Sequence, residues 1–246
     1  MHSAAVIKLH TIPGRPDLEL ESYSPFCMKA EVYLALAGLP YEADRVGDPR
    51  KAPKGKLPWI EDDGAVVADS GAIIAHLEKK HGGLLDKGLD ERQRAIAHVV
   101  ARTLEESLYF VMLWSRWAEP EGWQKVSSHF FDTLPAPLRL FIPGIVRKKV
   151  IGSARAQGIG RHTRDEIYEH GKKDFAAVAE ILGDKPFLTG DAVRSVDVSL
   201  YAFTSNVAKV DLSTPVAEFV KKESRLMRHM ERVGEALAKK KKAAAA

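Results

Sequence analysis

The sequence has one cysteine, Cys27, in 246 residues, which excludes an intramolecular disulfide and with it the disulfide-stapled secreted scaffolds. A lone thiol suits a reducing compartment. No stretch approaches the roughly 18 uninterrupted apolar residues that a bilayer span requires, and no basic start followed by a long apolar run opens the chain. No stable membrane insertion is therefore expected, and a cytoplasmic location follows by default. Charge of one sign is also scarce: 37 Lys and Arg face 33 Asp and Glu, and the excess of +4 is concentrated in Lys239 to Lys242 and in Arg147, Lys148 and Lys149. The terminal lysine run reads as a solvated tail, so no nucleic-acid partner is expected. The nine histidines include no His-x-x-x-His pair with a supporting acid, and no metal is implied.

With 45% apolar and 28% charged residues the chain can bury a substantial core, and its length fits one to two domains. Val6-Ile7-Lys8-Leu9, within Ala5 to Thr11, is β-favouring and predicts a first strand, which Pro13, Gly14, Pro16 and Asp17 then interrupt. From Pro25 to Ala37 the residues Cys27, Ala30, Leu34 and Ala37 recur at the spacing of one helical stripe, and Gly38 and Pro40 stop it. Tyr41 to Val46 predicts a second strand, so strand, helix and strand with short connections form a right-handed parallel crossover. Asp62-Asp63-Gly64 between Trp59-Ile60-Glu61 and Ala65-Val66-Val67 is a hairpin signal, and Ser70 is placed to cap a helix running to about Lys80. The order is βαβ, then ββα.

Helical periodicity takes over after about Leu89. Ile96, Val100, Leu104, Leu108 and Val111 predict one long amphipathic helix reaching Trp117, and Pro135, Pro137 and Pro143 predict short helices beyond it. Further helices are expected over Glu166 to Leu182 and Asp197 to Val207, with a last one from about Thr214 through Leu237. Gly82-Gly83 and an acidic cap at Asp90 bracket the boundary between the halves. The expected division is an α/β domain over 1–82, an all-helical domain over 90–238 and a basic, Ala-rich tail over 239–246.

Three places in the first half carry candidate chemistry. Ser24, followed by Pro25, puts a hydroxyl at a helix N-terminus, where unpaired N–H groups and the helix dipole favour a negative charge such as a thiolate. A plain cap leaves the same trace. Leu57-Pro58 stands directly before a strand, where proline often adopts the cis form, and an ordinary turn proline is the alternative. Asp69-Ser70 lies where a strand ends and a helix begins, which suits a carboxylate at Ser70 and an ammonium group at Asp69, although capping explains the pair as well. Together the three describe a pocket for a thiol peptide.

In order and spacing these places resemble the first half of the glutathione transferase superfamily. Ser24-Pro25-Phe26-Cys27-Met28-Lys29, Gly55-Lys56-Leu57-Pro58-Trp59-Ile60 and Gly158-Ile159-Gly160-Arg161-His162 resemble the branch that contains failed-axon-connections and metaxin-type proteins and their bacterial relatives. The resemblance covers about Val6 to Arg232 and implies a thioredoxin-like N-terminal domain followed by an all-helical C-terminal one. It implies glutathione as cosubstrate, with Leu57 and Pro58 holding the cysteinyl backbone, Asp69 and Ser70 the γ-glutamyl end, and Ser24 facing the sulfur. Lys54 or Lys56 is the candidate for the glycine carboxylate, and Tyr23 is an alternative hydroxyl donor. Dimerisation is usual in the superfamily, so a homodimer is implied too.

Cys27 occupies the second cysteine position of a C-x-x-C arrangement whose first position is Ser24, which suggests a small packing residue more than a nucleophile. Gly158-x-Gly160 lacks a preceding strand and a Lys-Ser/Thr ending, so it is no phosphate loop, and Arg161 and His162 suit surface or capping roles. Ser195 lies two residues before Asp197 where many transferases have Ser or Thr three before, which leaves the register of that cap open. Trp114, Trp117, Phe110, Phe130 and Phe131 are candidates for an apolar substrate pocket, although a helical aromatic stripe also fits a core.

Three functions follow as expectations. In the first, Ser24, or else Tyr23, donates to a bound glutathione thiolate that attacks a small apolar electrophile. The second is a non-catalytic binding or interaction module on the same fold. The third is thiol reduction or peroxidase activity through Cys27.

Overall fold

The computed structural model describes residues 6–45, 49–132 and 134–245. Ala5 and Val46, at the expected edges of the first two strands, and Ala246 of the expected tail lie outside the described residues. β1 (Ile7–His10) buries Ile7 and Leu9 while Lys8 faces out, the alternation of a half-buried strand. α1 (Pro25–Ala37) carries the chain to β2 (Tyr41–Asp44), which pairs parallel to β1 with Ile7 opposite Tyr41, as a crossover helix requires. Ten of the thirteen α1 residues are buried, because the sheet lies on one side and the helical half on the other. Its end is fixed by Gly38 at φ 72°.

β3 (Trp59–Asp62) and β4 (Ala65–Ala68) form the expected hairpin. Asp63 (φ 47°) and Gly64 (φ 82°) supply the two left-handed residues that match the strand twist. β3 runs antiparallel to β1, with Leu9 opposite Ile60, so the sheet order is β2-β1-β3-β4. α2 (Ser70–Lys80) completes the thioredoxin-like unit.

α3 (Glu91–Arg102) starts on a capping box between Asp90 and Gln93. It continues through a π-helical segment, Thr103–Leu108, into α4 (Tyr109–Trp117), so the long helix is present with a widened stretch that no residue pattern announced. α5 (Pro120–Phe131) passes α4 so closely at Gly122 that a Cβ there would stand 1.9 Å from the Ser115 carbonyl oxygen.

α6 (Ala136–Gln157) corrects the expectation of short helices, since it runs for 22 residues. Pro135 caps it and Pro137 lies in its first turn, where a missing N–H costs nothing, so only Pro143 interrupts the ladder. The carbonyl freed by Pro143 is that of Arg139, in an exposed turn open to solvent.

α7 (Arg164–Leu182) and α8 (Ser195–Ala208) follow, α8 being buried continuously from Val196 to Val207. Its start resolves the Ser195 register. Asp86, from the connection between the halves, takes both the Ser195 N–H (2.9 Å) and its hydroxyl (2.6 Å), while Asp197 reaches back to the Arg194 N–H (2.9 Å).

α9 (Pro215–Lys222) and α10 (Ser224–Ala245) replace the single helix expected over Thr214 to Leu237. Glu223 turns extended (φ −80°, ψ 97°) and its carboxylate accepts the Arg225 N–H, which opens α10. Lys239 to Lys242, expected as a solvated tail, are exposed on the last turns of α10, and Lys241 pairs with Glu21 at 3.0 Å. Val198, Tyr201 and Ala202 of α8 and Met230, Val233 and Leu237 of α10 join the α1 and sheet residues in one core, so sheet and helices are packed as a single body. Among the described residues no helix is long and apolar enough to cross a membrane.

Candidate functional site

The sheet register brings the three candidate places to one edge. His10, at the end of β1, lies opposite Trp59 at the start of β3, and Trp59 lies opposite Ala68 at the end of β4. The loop to Ser24, the Leu57-Pro58 step and the Asp69-Ser70 step therefore leave the sheet on the same side. The Asp69 N–H donates to the Pro58 carbonyl at 3.2 Å, and the Leu57-Pro58 peptide is cis.

Ser24 is the N-cap of α1, with extended backbone (φ −103°, ψ 126°), and its Oγ accepts the Cys27 N–H at 3.4 Å. It is half-buried and reachable. The segment before it is fastened from both sides. Ser22 Oγ donates to the Ile12 carbonyl (3.1 Å) and accepts the Ser24 N–H (3.3 Å). From the helical half, Arg116 donates to the Tyr23 carbonyl (2.7 Å) and to the carbonyl and Oδ1 of Asn206 (2.7 and 3.0 Å), and Asn206 donates to the Ser22 carbonyl (3.4 Å). Arg116 and Asn206 escaped the sequence reading because they lie 93 and 184 residues from their partners. A cation in the apolar face of α4 was the one available hint.

Tyr23 and Cys27 do not share the exposure of Ser24, which corrects their candidacy as groups presented to a thiol. Tyr23 is 2% exposed, with its ring under the Arg116 guanidinium (4.4 Å) and beside His129 (4.7 Å), and its hydroxyl is enclosed. Cys27 is fully buried. Burial pushes its thiol above the ordinary range, against hydrogen bonds with Ile12, Thr11, Ser24 and Ser22 that pull the other way. A thiol held neutral and out of reach is a poor nucleophile.

At the third place the expected cap is corrected: Asp69, not Ser70, caps α2. Asp69 Oδ1 accepts the N–H groups of Gly71 (2.9 Å) and Ala72 (3.1 Å), and Ser70 becomes the first helical residue. Asp69 holds φ 92° and ψ 130°, a strained conformation for a residue with a side chain and one that recurs at binding sites. Ser70 is 2% exposed. Lys54 and Lys56 are exposed on the loop before Leu57.

The aromatic candidates divide. Trp117, Phe130 and Phe131 pack with Trp123 between α4 and α5, while Phe110 meets Tyr109 edge to face (5.1 Å). Tyr109 in turn meets Phe26 (4.9 Å), two residues after Ser24, and Phe26 also contacts Phe203 (5.7 Å). Phe26 and Tyr109, which periodicity assigned to no role, thus join the start of α1 to the helical core. Trp114 is half-buried against the helical core. Arg161 donates to the Arg155 carbonyl at 3.0 Å and His162 rests on His170, both as surface and capping groups.

Two family models match this chain, the glutathione S-transferase N-terminal domain over residues 25–122 and the glutathione S-transferase C-terminal domain over residues 171–233. An isoprene-epoxide–glutathione S-transferase of Rhodococcus sp. (strain AD45) is 31% identical over 227 residues, covering 89% of this chain and 93% of that one. The chain belongs to the glutathione S-transferase family.

Within that family it is similar to two further kinds of protein. Failed axon connections of Drosophila melanogaster is 33% identical over 87% of this chain and 54% of its own length. Metaxin-1 of Mus musculus is 26% identical over 77% of this chain and 60% of its own. This glutathione S-transferase chain therefore spans a little more than half of those two relatives. It shares its fold with a glutathione S-transferase of Ceriporiopsis subvermispora solved in complex with glutathione (TM-score 0.64, 19% identity, 94% of this chain and 98% of that one).

Proposed function

We propose that the protein binds glutathione across this sheet edge and transfers its thiolate to a small apolar electrophile. The observation that carries the proposal is that Ser24, alone of the three candidate donors, presents a reachable hydroxyl at the start of α1. Leu57 and Pro58 hold the cysteinyl backbone, Lys56 meets the glycine carboxylate, and Asp69 and Ser70 receive the γ-glutamyl end. The Rhodococcus relative supports an epoxide as the electrophile. The thiolate forms the carbon–sulfur bond as one carbon–oxygen bond of the ring breaks, and the oxygen keeps that electron pair, stays on the neighbouring carbon and takes a proton from water.

Magnitudes assign the work. Lowering a free thiol's pKa from near 8.5 by about two units requires roughly 2.7 kcal/mol of preference for the thiolate. The α1 dipole contributes about 0.3–1 kcal/mol and one hydrogen bond to a charged group about 1.5–3. The hydroxyl supplies most of it.

A thermal melt tests binding. Glutathione at about 100 times its dissociation constant is expected to stabilise the fold by about 2.7 kcal/mol, and no shift at millimolar concentration contradicts the proposal. Cys27→Ala is expected to leave conjugation within about twofold, since its thiol is neutral and enclosed. Loss of activity in that variant would instead favour the reductase or peroxidase reading. The second reading, a binding module without turnover, is supported by the failed-axon-connections and metaxin relatives. It predicts the same melt and no conjugation with any of a panel of epoxides. A cytoplasmic homodimer remains part of the proposal, and light scattering of the purified chain checks the dimer.

A further inference from the structure

Between Asp132 and Asp165 the chain has no acidic residue and seven basic ones. Seven exceeds the formal excess of +4 for the whole chain, so everything outside this stretch is net acidic. Five of the seven, Arg139, Arg147, Lys148, Lys149 and Arg155, lie on α6. Arg147 is engaged within the protein. It donates to the Trp117 and Ala118 carbonyls at 2.8 and 3.0 Å and lies over the Trp123 ring at 4.9 Å, which fixes the middle of α6 to the end of α4 and the first turn of α5. Arg139, Lys148 and Lys149 are exposed and, among the described residues, make no ion pair.

The same helix gathers exposed apolar surface. Of the seven exposed large hydrophobic residues among those described, four lie in its first half: Leu138 (48%), Leu140 (80%), Phe141 (69%) and Ile145 (68%). Leu138, Phe141 and Ile145 have the spacing of one helical face, Leu140 lies off that face, and every residue from Pro135 to Phe141 is exposed. The first turns of α6 therefore stand clear of the protein on all sides. Lys148 and Lys149 continue the Leu138 face about one turn beyond Ile145. Apolar and basic residues are thus separated along the axis, with an apolar tip and a basic shoulder.

Apolar residues gathered in one exposed place mark a contact surface. Charge and shape choose its occupant. A second copy would bring the same uncompensated positive charge face to face across a symmetric contact. Nucleic acid offers phosphates to the lysines and nothing to Phe141 or Ile145. A protein partner would need a socket for a helix end that is apolar around its whole circumference. An anionic bilayer meets both parts. Leu138 to Ile145 spans about 10 Å of helix, which matches the roughly 5–10 Å to which surface-bound helices sink, and the lysines then stand level with the headgroups. We infer that the first turns of α6 dock the protein on an anionic bilayer surface, with Leu138, Leu140, Phe141 and Ile145 entering the acyl boundary and Arg139, Lys148 and Lys149 holding lipid headgroups. The long Arg139 side chain reaches back from the tip to the headgroup level. This surface is independent of the function proposed above.

Co-sedimentation of the full chain with vesicles of phosphatidylcholine alone, or with about 30% phosphatidylserine, tests the inference. Wild type is expected to bind the anionic vesicles at least about tenfold more tightly than the neutral ones and to lose most of that preference at about 0.5 M salt. Phe141→Ser/Ile145→Ser is expected to weaken binding to anionic vesicles at least about tenfold, and Lys148→Gln/Lys149→Gln about 10–30-fold. All four residues are exposed, so both variants are expected to melt within about 2 °C of wild type. Lys239→Gln/Lys240→Gln/Lys242→Gln, which neutralises the other basic run, is expected to change binding by less than about threefold. Wild type that binds no vesicle, a loss confined to the terminal variant, or serine variants that bind as wild type does would each overturn the inference. Where vesicles fail, a dimer that Phe141→Ser/Ile145→Ser dissociates, or an RNA oligomer bound irrespective of Phe141, names the occupant, and either result contradicts the bilayer.

Discussion

Replacing Ser24 with alanine is expected to raise the pKa of the bound glutathione thiol by about one to two units, the equivalent of one lost hydrogen bond of about 1.5–3 kcal/mol to the thiolate. The sign fixes the pH dependence. A donor to the charged form depresses the thiol pKa, so its removal cuts the thiolate fraction below that pKa by about 10–100-fold and leaves it unchanged well above. A more basic thiolate is also more nucleophilic, with a Brønsted slope of about 0.4–0.5, which returns half of the loss on a logarithmic scale. The net expectation is a fall of about 3–10-fold in kcat near pH 7 that shrinks as pH rises and reverses, by a similar factor, above the thiol pKa of the variant. The pH profile of kcat for wild type and Ser24→Ala, with Ser24→Thr restoring the donor, checks it. A loss that is constant with pH would mean that Ser24 merely shapes α1.

Asp197→Ala is expected to have the largest effect on stability. Asp197 is fully buried. Its Oδ1 accepts the Leu188 N–H at 2.8 Å and lies 2.9 Å from His229 Nε2, while Oδ2 accepts the Arg194 N–H at 2.9 Å. Truncation leaves the buried Leu188 N–H and His229 ring and the half-buried Arg194 N–H without their acceptor, at about 1–3 kcal/mol each and less than additively, for a total of about 3–5 kcal/mol. For a chain of this size that lowers the melting temperature on the order of 10 °C. Asp197→Asn keeps one acceptor oxygen and is expected to lose about half as much. Calorimetric melts of both variants check the order, and a fall of only a degree or two for alanine would show that water reaches the cluster.

The first half was legible because its signals are local. Gly38, the Asp63-Gly64 turn and Ser24-Pro25 each fix backbone geometry within a few residues, and the structure follows them. The cap of α2 lies one position before the expected Ser70, since Asp69 and Ser70 are both good caps and only the backbone at φ 92° decides between them. The helical half was less legible. Pro143 suggests a break, but the preceding turn that holds the Arg139 carbonyl is exposed and the helix tolerates it, whereas the real break at Glu223 carries neither Pro nor Gly. The groups that tie the halves together, Arg116 to Tyr23, Asp86 to Ser195 and Lys29 to Glu105, are pairings between residues far apart in the chain. No spacing rule reaches across such distances, because the pairing depends on which helix packs against which.

The most direct test of the central claim is a crystal structure of the protein with glutathione. The account predicts the sulfur within hydrogen-bonding distance of Ser24 Oγ, about 3.2–3.5 Å, with the cysteinyl backbone on Leu57 and the γ-glutamyl end at Ser70. Glutathione seated away from this sheet edge, or its sulfur turned from Ser24 toward Tyr23 or Cys27, would contradict it.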